Sequence, residues 1–435
     1  MRYAQRRLVI VVRADPVICG HSGEARNLAE IALTRGFDDV RLLTWPIATL
    51  QATGLPLKPL DRLQPYSPGI TVERPEPVGD YRVPDGRHLA GLTGRLVELL
   101  AEPVQTTCLA MYLVPHANVV IDAVNSARAA GFDPDVHTIA KAVGSDITNV
   151  VQNCLREGRF GAATFLLTTF LAHDEVVAVS DYTRDEIVLA AEAVDLHCGT
   201  GFAAECRRRV TVSYPPIDTS AYVDIDTSAM DAALARRGLE RDGYILFLSR
   251  VTRAKGVHDL IEAYATSRAR GRVKLVIAGT GPALSEVRAL AARDDRVVFL
   301  TDVDDDEKPL LMRGCATYAL PTKPESDFVE TFGIALAEKL LTGGGPVITT
   351  LTGGTGEAVG DTAVIVEAGD VAALRDALDR VVLEMSDHDK RALEWRGREH
   401  ALAFDRARVF DDLFAPSMES HTATVTPLRL AEESV

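Results

Sequence analysis

The sequence predicts an α/β protein built from two Rossmann-like, doubly wound domains that face each other across a cleft. Three observations predict this fold. Short apolar segments alternate with helical segments, glycines follow the apolar segments, and the same order starts again near the middle of the 435 residues. Parallel strands joined by helices produce this alternation, and one hydrophobic core rarely serves so long a chain.

The composition narrows the class of protein and of partner. Apolar residues make up 47% and charged residues 25% of the chain, as is typical of a soluble globular protein. The formal charge of −15 argues against a nucleic-acid partner, because binding to phosphate backbones needs a basic surface. A cationic small substrate is compatible with this charge, although an acidic surface that only serves solubility would give the same balance.

The cysteines and the first apolar segment indicate the cellular compartment in which we expect the protein. The six cysteines are scattered without a C-x-x-C pair, so we expect neither a disulfide framework nor a zinc site, and a reducing, cytoplasmic location fits best. Residues 8–12 are too short for a secretion signal or a membrane span. We therefore expect a buried first strand there and no membrane insertion.

The first half opens with a strand, a glycine loop and a helix. Gly20 and Gly23 follow the strand at 8–12, and a helix is expected from about Ala25 to Arg35. The two glycines lack the full G-x-G-x-x-G spacing of a dinucleotide site. A purely structural role in the turn is the alternative to a role in binding.

A proline-rich stretch at 54–86 interrupts this half and is expected to hold no regular element. Such a long loop is usually functional, and it would then bring Asp80 and Asp85 to the cleft, but a surface excursion is the alternative. Further strands are expected at 135–143, just before Asp146, and at 175–180.

The first half is expected to close at residues 210–218, where Pro215 and Pro216 end a strand. The second half then repeats the order of strand, glycine loop and helix seen in the first. A strand at 244–249 leads to Arg250 and Lys255, and a strand at 274–278 ends at Gly279 and Gly281. Arg250 and Lys255 lie beside the start of a helix, whose dipole also favours negative charge, so a diphosphate would fit there. A salt-bridged surface loop is the alternative.

The stretch at 325–361 combines carboxylates, a helix and glycine clusters. Thr331 is expected to cap a helix that begins at Phe332 and ends at the glycines 343–345, and a short buried strand should follow at 346–350. In a parallel sheet this order places ligand-binding groups at the carboxyl ends of the strands.

Several motifs in this order resemble the retaining GT-B glycosyltransferases of family four. The C-terminal half carries the denser part of the resemblance: FLSRVTRAKGVHDLIEAY at 247–264, VIAGTGP at 276–282, ALPTKPESDFVETFGIALAEKLLTGGGPVITT at 319–350 and GGTGEAVGD at 353–361. The N-terminal half adds AVSDYTRDEI at 178–187 and YPPID at 214–218. The most specific feature is the pair Glu330 and Glu338, spaced eight apart around F-G.

The resemblance implies a GT-B fold, a UDP-sugar donor and no other cofactor. Arg250 and Lys255 would hold the donor diphosphate, Glu330 would lie near the sugar hydroxyls, and Glu338 would bind the ribose. The glycines would line the donor site, and so would the backbone amides at the start of the 325–361 helix; these residues are Gly20, Gly23, Gly279, Gly281, Phe332, Gly333 and Ile334. Transfer with retention is usually ascribed to a front-face route, so no nucleophile is assigned.

The acceptor side departs from the family. Many members carry a histidine directly before the G-S-D motif or its equivalent, where this chain has Val143. His116 and His137 are possible substitutes, each with a core or loop role as the alternative, and Asp146 is the better candidate for acceptor binding.

The N-terminal half is also similar to transferases that assemble aminoglycoside antibiotics, through residues 2–26, 78–91 and 142–151. This similarity implies an aminocyclitol or pseudodisaccharide acceptor, such as paromamine, with Asp80, Asp85 and Asp146 facing its amines. A transferase that makes a simple disaccharide or other glycoside is the alternative, and a non-catalytic nucleotide-sugar-binding module is a remote one. A homodimer is possible.

The sequence also predicts where each domain begins and ends. Residues 1–222 should form the acceptor domain and 223–399 the donor domain, with a helix at about 400–416 crossing back to the first domain and a flexible tail at 417–435. The acidic run at 302–307 looks like a metal site, but we expect a solvated loop opposite the donor motifs and no bound metal.

Overall fold

The protein is described here from a computed structural model that covers residues 5–79, 84–326 and 328–419. Two parallel β-sheets follow each other along the chain, with helices between the strands, so the predicted α/β fold with two Rossmann-like domains is confirmed. No helix in these ranges is long and apolar enough to cross a membrane.

The N-terminal sheet, within the described residues, has seven parallel strands in the order β3-β2-β1-β4-β5-β6-β7. The strands are β1 (Arg6–Val11), β2 (Asp39–Leu43), β3 (Ile70–Glu73), β4 (Gln105–Met111), β5 (Val136–Ala142), β6 (Glu175–Ala178) and β7 (Val210–Val212). Its helices are α1 (Gly20–Ala32), α2 (Ile47–Ala52), α3 (Pro84–Leu100), α4 (Asn118–Ala129), α5 (Gln152–Arg156), α6 (Phe160–Leu171), α7 (Asp181–Cys198) and α8 (Phe202–Arg209). Helices cover both faces of its central strands, which explains the apolar run at 8–12.

The C-terminal sheet has six parallel strands in the described ranges, in the order β10-β9-β8-β11-β12-β13. They are β8 (Tyr244–Leu248), β9 (Lys274–Ala278), β10 (Val297–Leu300), β11 (Thr317–Leu320), β12 (Val347–Thr349) and β13 (Val364–Ile365). The helices of this half are α9 (Ser220–Val223), α10 (Thr227–Arg236), α11 (Val257–Thr266), α12 (Leu284–Leu290), α13 (Glu307–Gly314), α14 (Ile334–Thr342), α15 (Thr355–Val359), α16 (Val371–Asp379), α17 (Asp387–Ala401) and α18 (Arg406–Glu419).

Each sheet has a point where the order of its strands reverses. In the N-terminal sheet the chain winds outward from β1 through β2 to β3 and then returns to place β4 on the other side of β1. In the C-terminal sheet β8 and β11 stand in the same relation. Ligands of doubly wound sheets bind in the crevice that opens at such reversals, beyond the carboxyl ends of the strands. The residues after β1, β4, β8 and β11 are therefore the ones that decide function.

Two helices begin where the sequence did not place them. Helix α1 starts at Gly20 rather than near Ala25, so both predicted loop glycines lie inside its first turns. Helix α14 starts at Ile334, with Gly333 at its N-cap in the left-handed region (φ 99). The prediction that Thr331 caps this helix is wrong, because its hydroxyl points instead to the carbonyl of Val143 in the other domain, at 3.5 Å.

The proline-rich stretch is more regular than expected. β3 lies inside it and pairs with β2 at the edge of the sheet, and α3 begins at Pro84. The prolines flank the strand rather than interrupt it, and an edge strand tolerates them. The prediction of a loop without regular elements is therefore wrong for part of this stretch.

The C-terminal helix α18 packs against α1 of the first domain. Phe410 and Phe414 meet Phe37 edge-on, with ring centroids 6.1 Å apart in each case, and Arg35 pairs with Asp411 at 2.6 Å. The chain thus returns to the domain in which it began. The predicted boundary at residue 222 falls between β7 and β8, and the exact domain limits stay predictions.

Candidate active site

Lys255 and Glu330 form an ion pair at the carboxyl edge of the C-terminal sheet. Lys255 ends a short 3-10 turn before α11, and its ammonium also lies 5.2 Å from the centre of the Phe328 ring. The next residue, Gly256, has φ +69 and approaches the Pro321 carbonyl so closely that a Cβ would lie 1.8 Å from its oxygen. Only glycine fits there, and this close approach holds the lysine beside the glutamate.

Arg250 follows β8 and is exposed. It makes no hydrogen bond and no ion pair with any residue that the structure describes. The guanidinium is therefore free to bind an anion, unlike that of Arg253 in the same loop, which pairs with Glu286 at 2.6 Å.

Gly279 and Gly281 pack beneath the loop that carries Arg250. A Cβ on Gly279 would lie 2.1 Å from the Ser249 carbonyl oxygen, and one on Gly281 would lie 2.3 Å from that of Val251. The two glycines thus hold the residues on either side of Arg250. This packing explains their position, and their predicted contact with a donor stays a prediction.

Glu338 lies on α14 with one carboxylate oxygen already engaged. Its Oε1 accepts a hydrogen bond from the Tyr222 hydroxyl and pairs with the Lys308 ammonium, both at 2.7 Å. Tyr222 and Lys308 were missed in the sequence, since neither belongs to the motif that contains the glutamate. The predicted ribose contact stays a prediction.

Two helix N-termini meet across the cleft. Gly20, at the start of α1, faces Ile334, at the start of α14, so closely that a Cβ on Gly20 would lie 3.1 Å from the isoleucine Cδ1. Neither helix has a side-chain cap or an acidic residue in its first turn. Unsatisfied amides and both dipoles therefore favour an anion here. Gly23 has open space around it, whereas the Phe332 side chain is buried against Tyr214 and Phe404 and only its backbone can face a ligand.

His21 was missed although it directly follows Gly20. Burial, together with the positive charges of Arg13, Lys141 and Arg250, lowers the pKa of its imidazole to about 3. The side chain is neutral at physiological pH and can act as a hydrogen-bond donor at one nitrogen and an acceptor at the other. Its position after the first strand of a doubly wound sheet was the signal that could have identified it.

Asp146 is not available to an acceptor, contrary to the prediction. Its carboxylate is buried and accepts hydrogen bonds from four backbone amides, at 2.9–3.2 Å: those of Leu113, Val143, Gly144 and Ile147. Burial raises its pKa to about 6 in spite of these bonds. The residue shapes the turns after β4 and β5.

The other predicted acceptor residues fall into three groups. His137 lies at the start of β5, where it bonds to Glu175 at 2.5 Å, so it occupies the edge of the sheet opposite the cleft and its proposed role is wrong. His116 follows β4 at the correct edge, but it is buried and its Nδ1 bonds to the Met111 carbonyl at 2.5 Å. Asp85 lies in the first turn of α3, and Asp80 lies outside the described residues.

Gly144 directly follows Val143, which stands where the family resemblance led us to expect a histidine. It has φ +111, and a Cβ would lie 2.3 Å from the Thr331 side chain of the other domain. Val143 itself is buried and apolar, so no polar side chain stands at this position.

The acidic run at 302–307 is exposed at Asp302, Asp304, Asp305 and Asp306, as expected for a solvated loop, but it also contacts the other domain. Asp305 pairs with Lys58 of the first domain at 2.8 Å, and Asp302 and Glu307 both bind Arg237. The helix that the run opens also carries Lys308, the partner of Glu338. In the described ranges no group of three or more His, Cys, Asp or Glu side chains is placed to hold a metal ion.

Comparisons with known proteins agree with this geometry. Residues 233–396 match the profile of the family Glycosyl transferases group 1. The chain is 29% identical over 191 residues to alpha-D-kanosaminyltransferase of Streptomyces kanamyceticus, an alignment that covers 41% of this chain and 48% of that protein. It is 28% identical over 165 residues to N-acetyl-alpha-D-glucosaminyl L-malate synthase of Bacillus anthracis, covering 37% and 41%. The chain thus spans less than half the length of these curated relatives.

Solved structures match over nearly the whole chain. HepE of Anabaena, solved with UDP and glucose, has a TM-score of 0.65 at 17% identity, with 95% of this chain and 99% of that chain covered. Sucrose-phosphate synthase of Thermosynechococcus elongatus has a TM-score of 0.69 at 16% identity, with 97% and 100% covered. At these identities the likeness concerns the fold. The chain therefore has the GT-B fold, and its residues 233–396 are similar to the family Glycosyl transferases group 1.

Proposed function

We propose that this protein is a retaining glycosyltransferase that moves a hexose or amino-hexose from a UDP-sugar to a hydroxyl of a small polar acceptor. One observation carries the proposal: Arg250, which has no partner among the described residues, the Lys255–Glu330 pair and the uncapped starts of α1 and α14 occupy facing edges of two doubly wound domains. Positive charge next to a carboxylate suits a diphosphate that is linked to a sugar.

Arg250 and Lys255 stabilise the diphosphate as it leaves, which is often the largest contribution to catalysis. Their two charges take the place that a divalent cation has in other transferases, so the reaction is metal-independent. Glu330 accepts hydrogen bonds from the sugar hydroxyls while it orients Lys255. The free oxygen of Glu338 accepts from the ribose.

The chemistry is a front-face exchange at the anomeric carbon. The bond between C1 and the phosphate oxygen breaks, the bond between C1 and the acceptor oxygen forms, and the acceptor proton passes to the departing phosphate. Retaining hydrolases instead use two carboxylates and a covalent intermediate. Glu330 is held by Lys255, and it acts on the sugar hydroxyls rather than as a nucleophile.

For the acceptor, an aminocyclitol or pseudodisaccharide such as paromamine is supported by the match to a kanosaminyltransferase. A transferase that makes a disaccharide or another glycoside is the second candidate, favoured by the engagement of Asp146 with four backbone amides. A cytoplasmic location and a homodimer belong to the same proposal.

The test combines calorimetry with transfer assays. UDP should bind, and UDP-glucose or UDP-N-acetylglucosamine should yield a product with paromamine, 2-deoxystreptamine or a plain sugar. UDP binding without transfer or donor hydrolysis would indicate a non-catalytic binding module. Absence of UDP binding would overturn the donor assignment.

A further inference from the structure

Three polar side chains surround the ring of Tyr112 at the strand reversal of the N-terminal sheet. The Arg13 guanidinium lies 5.9 Å from the ring centre, the His21 ring 5.9 Å and the His116 ring 6.4 Å. Arg13 follows β1, and Tyr112 and His116 follow β4, the strand beside it. We call these four residues the Tyr112 cluster. It occupies the crevice in which doubly wound domains bind their ligands.

Among the described residues Arg13 has no counter-charge. It is half-buried, and it makes no hydrogen bond and no ion pair with any described residue. Nearby arginines are satisfied, since Arg26 pairs with Asp15 at 2.8 Å and Arg74 donates to the Trp45 carbonyl at 2.7 Å. A partly desolvated charge without a partner is unfavourable in the empty protein, and a bound anion would relieve it.

Three described carboxylates around the cluster are engaged. Asp15 is shared by Arg26 and Lys58, and Glu24 is buried against Lys141 at 3.1 Å. Asp146 is held by backbone amides, as described above. An ammonium group would therefore meet no free carboxylate among these residues, whereas an acidic group would meet Arg13.

The cluster also offers hydrogen-bonding groups for a hydroxyl. The His116 Nδ1 must carry a hydrogen, because it bonds to the Met111 carbonyl, so Nε2 is an acceptor. This Nε2 is buried and has no partner among the described residues. His21 is neutral, and the Tyr112 hydroxyl lies 3.5 Å from that of Ser145.

We propose that the Tyr112 cluster is the acceptor subsite and that Arg13 binds a carboxylate or phosphate group of a small hydroxylated acceptor. The inference rests on the proposed glycosyltransferase function and gives its acceptor an acidic class in place of an aminocyclitol. The donor diphosphate is bound by Arg250 and Lys255 of the other domain, so Arg13 remains for the acceptor.

The experiment measures the binding of matched acceptor pairs by calorimetry in saturating UDP, which occupies the donor anion site. Glucose 6-phosphate is compared with glucose, L-malate with butane-1,2,4-triol, and paromamine represents the cationic class. In the wild-type protein at least one acid should bind at least tenfold tighter than its neutral partner. If glucose 6-phosphate shows the larger gain over its neutral partner, the bound group is a phosphate; if L-malate does, it is a carboxylate. Raising the salt concentration should weaken the preference.

The variants Arg13→Gln, Arg13→Lys and Arg128→Gln complete the design. The preference should vanish in R13Q, persist in part in R13K, and remain in R128Q, which alters an exposed arginine on α4. Equal binding of acid and neutral partners, tighter binding of paromamine, or an unchanged preference in R13Q would overturn the inference. UDP affinity should be unaffected by R13Q. Loss of UDP binding in the wild type would instead refute the proposed function.

Discussion

The carboxylate of Glu357, in the C-terminal domain, accepts a hydrogen bond at 2.7 Å from the backbone amide of Asp181, the first residue of α7 in the N-terminal domain. Its other oxygen accepts from the amide of Tyr182 at 2.9 Å. A helix start is thus completed by a residue from the opposite domain. The contact both satisfies orphan amides and places a negative charge at the positive end of a helix.

Replacement of Glu357 by Ala should lower the free energy of unfolding by about 1–2 kcal/mol, because two helix amides lose a charged acceptor. The variant should also be cleaved faster by protease near residues 213–219, where the chain passes between the two sheets. Urea denaturation and limited proteolysis measure these effects. The matched control is Glu367→Ala, which alters an exposed glutamate and should change neither. Equal behaviour of the two variants would contradict a role for Glu357 between the domains.

Loss of either cation proposed to bind the diphosphate should have a much larger effect on UDP binding and transfer than loss of a third cation in the same loop. Arg250→Ala or Lys255→Ala should weaken UDP binding about tenfold and reduce transfer about 10²–10³-fold, because each removes a charge that stabilises the leaving group. Arg253→Ala should leave both nearly unchanged, since Arg253 is exposed and pairs with Glu286. Calorimetry with UDP and initial rates are the measurements. A loss in R253A equal to that in R250A would show that the assignment of Arg250 is wrong.

Gly279 and Gly23 should respond in opposite directions to alanine. A Cβ at Gly279 would collide with the Ser249 carbonyl at 2.1 Å, and its φ of +128 disfavours any side chain. Gly279→Ala should therefore lower the free energy of unfolding by about 2–3 kcal/mol. Gly23 lies inside α1 with open space around it, so Gly23→Ala should raise this free energy by about 0.5–1 kcal/mol.

UDP affinity then separates the roles of the two glycines. If Gly23 contacts the donor as predicted, the more stable G23A will bind UDP less tightly than the wild type. Unchanged affinity would limit this glycine to the geometry of the helix. A G279A variant with wild-type stability would refute the packing described around Arg250.

The positions of the residues proposed for the donor side could be predicted from the sequence because they are set by local patterns. Arg250, Lys255 and Glu330 follow strands that the apolar pattern marks clearly, and strand ends in a parallel sheet share one edge. The acceptor role predicted for His137 is wrong because the residue lies at the other end of its strand. His137 lies at the start of β5 and Val143 follows its end, so the two residues lie at opposite edges of the sheet.

The surroundings of the residues proposed for the acceptor side depend in part on contacts between segments that are distant in the chain. Three of the amides that hold Asp146 lie within three residues of it, and the fourth, on Leu113, comes from the loop after another strand. Arg13 and Tyr112 meet only because β1 and β4 pair in parallel. The displaced start of α14 had a similar cause, since the side chain of Thr331 contacts the opposite domain and Gly333 supplies the turn.

His173 should make the stability of the protein depend on pH. It is buried, its Nδ1 donates to the Thr169 carbonyl at 3.0 Å, and burial lowers its pKa from 6.5 to about 4. The unfolded chain takes up a proton below pH 6.5 that the folded protein rejects until about pH 4. The contribution of this neutral histidine is therefore complete above pH 6.5 and is lost as the pH falls toward 4, by about 3 kcal/mol in total.

The measurement compares urea denaturation of the wild type, His173→Gln and His388→Gln at about pH 7, 6 and 5. Because other buried histidines titrate in the same direction, the difference between wild type and variant isolates His173. H173Q should lose less stability than the wild type as the pH falls, since glutamine can donate to the same carbonyl without taking up a proton. H388Q, which alters an exposed histidine, should follow the wild type. An H173Q profile parallel to the wild type would mean that His173 is protonated in the folded protein as readily as in the unfolded chain.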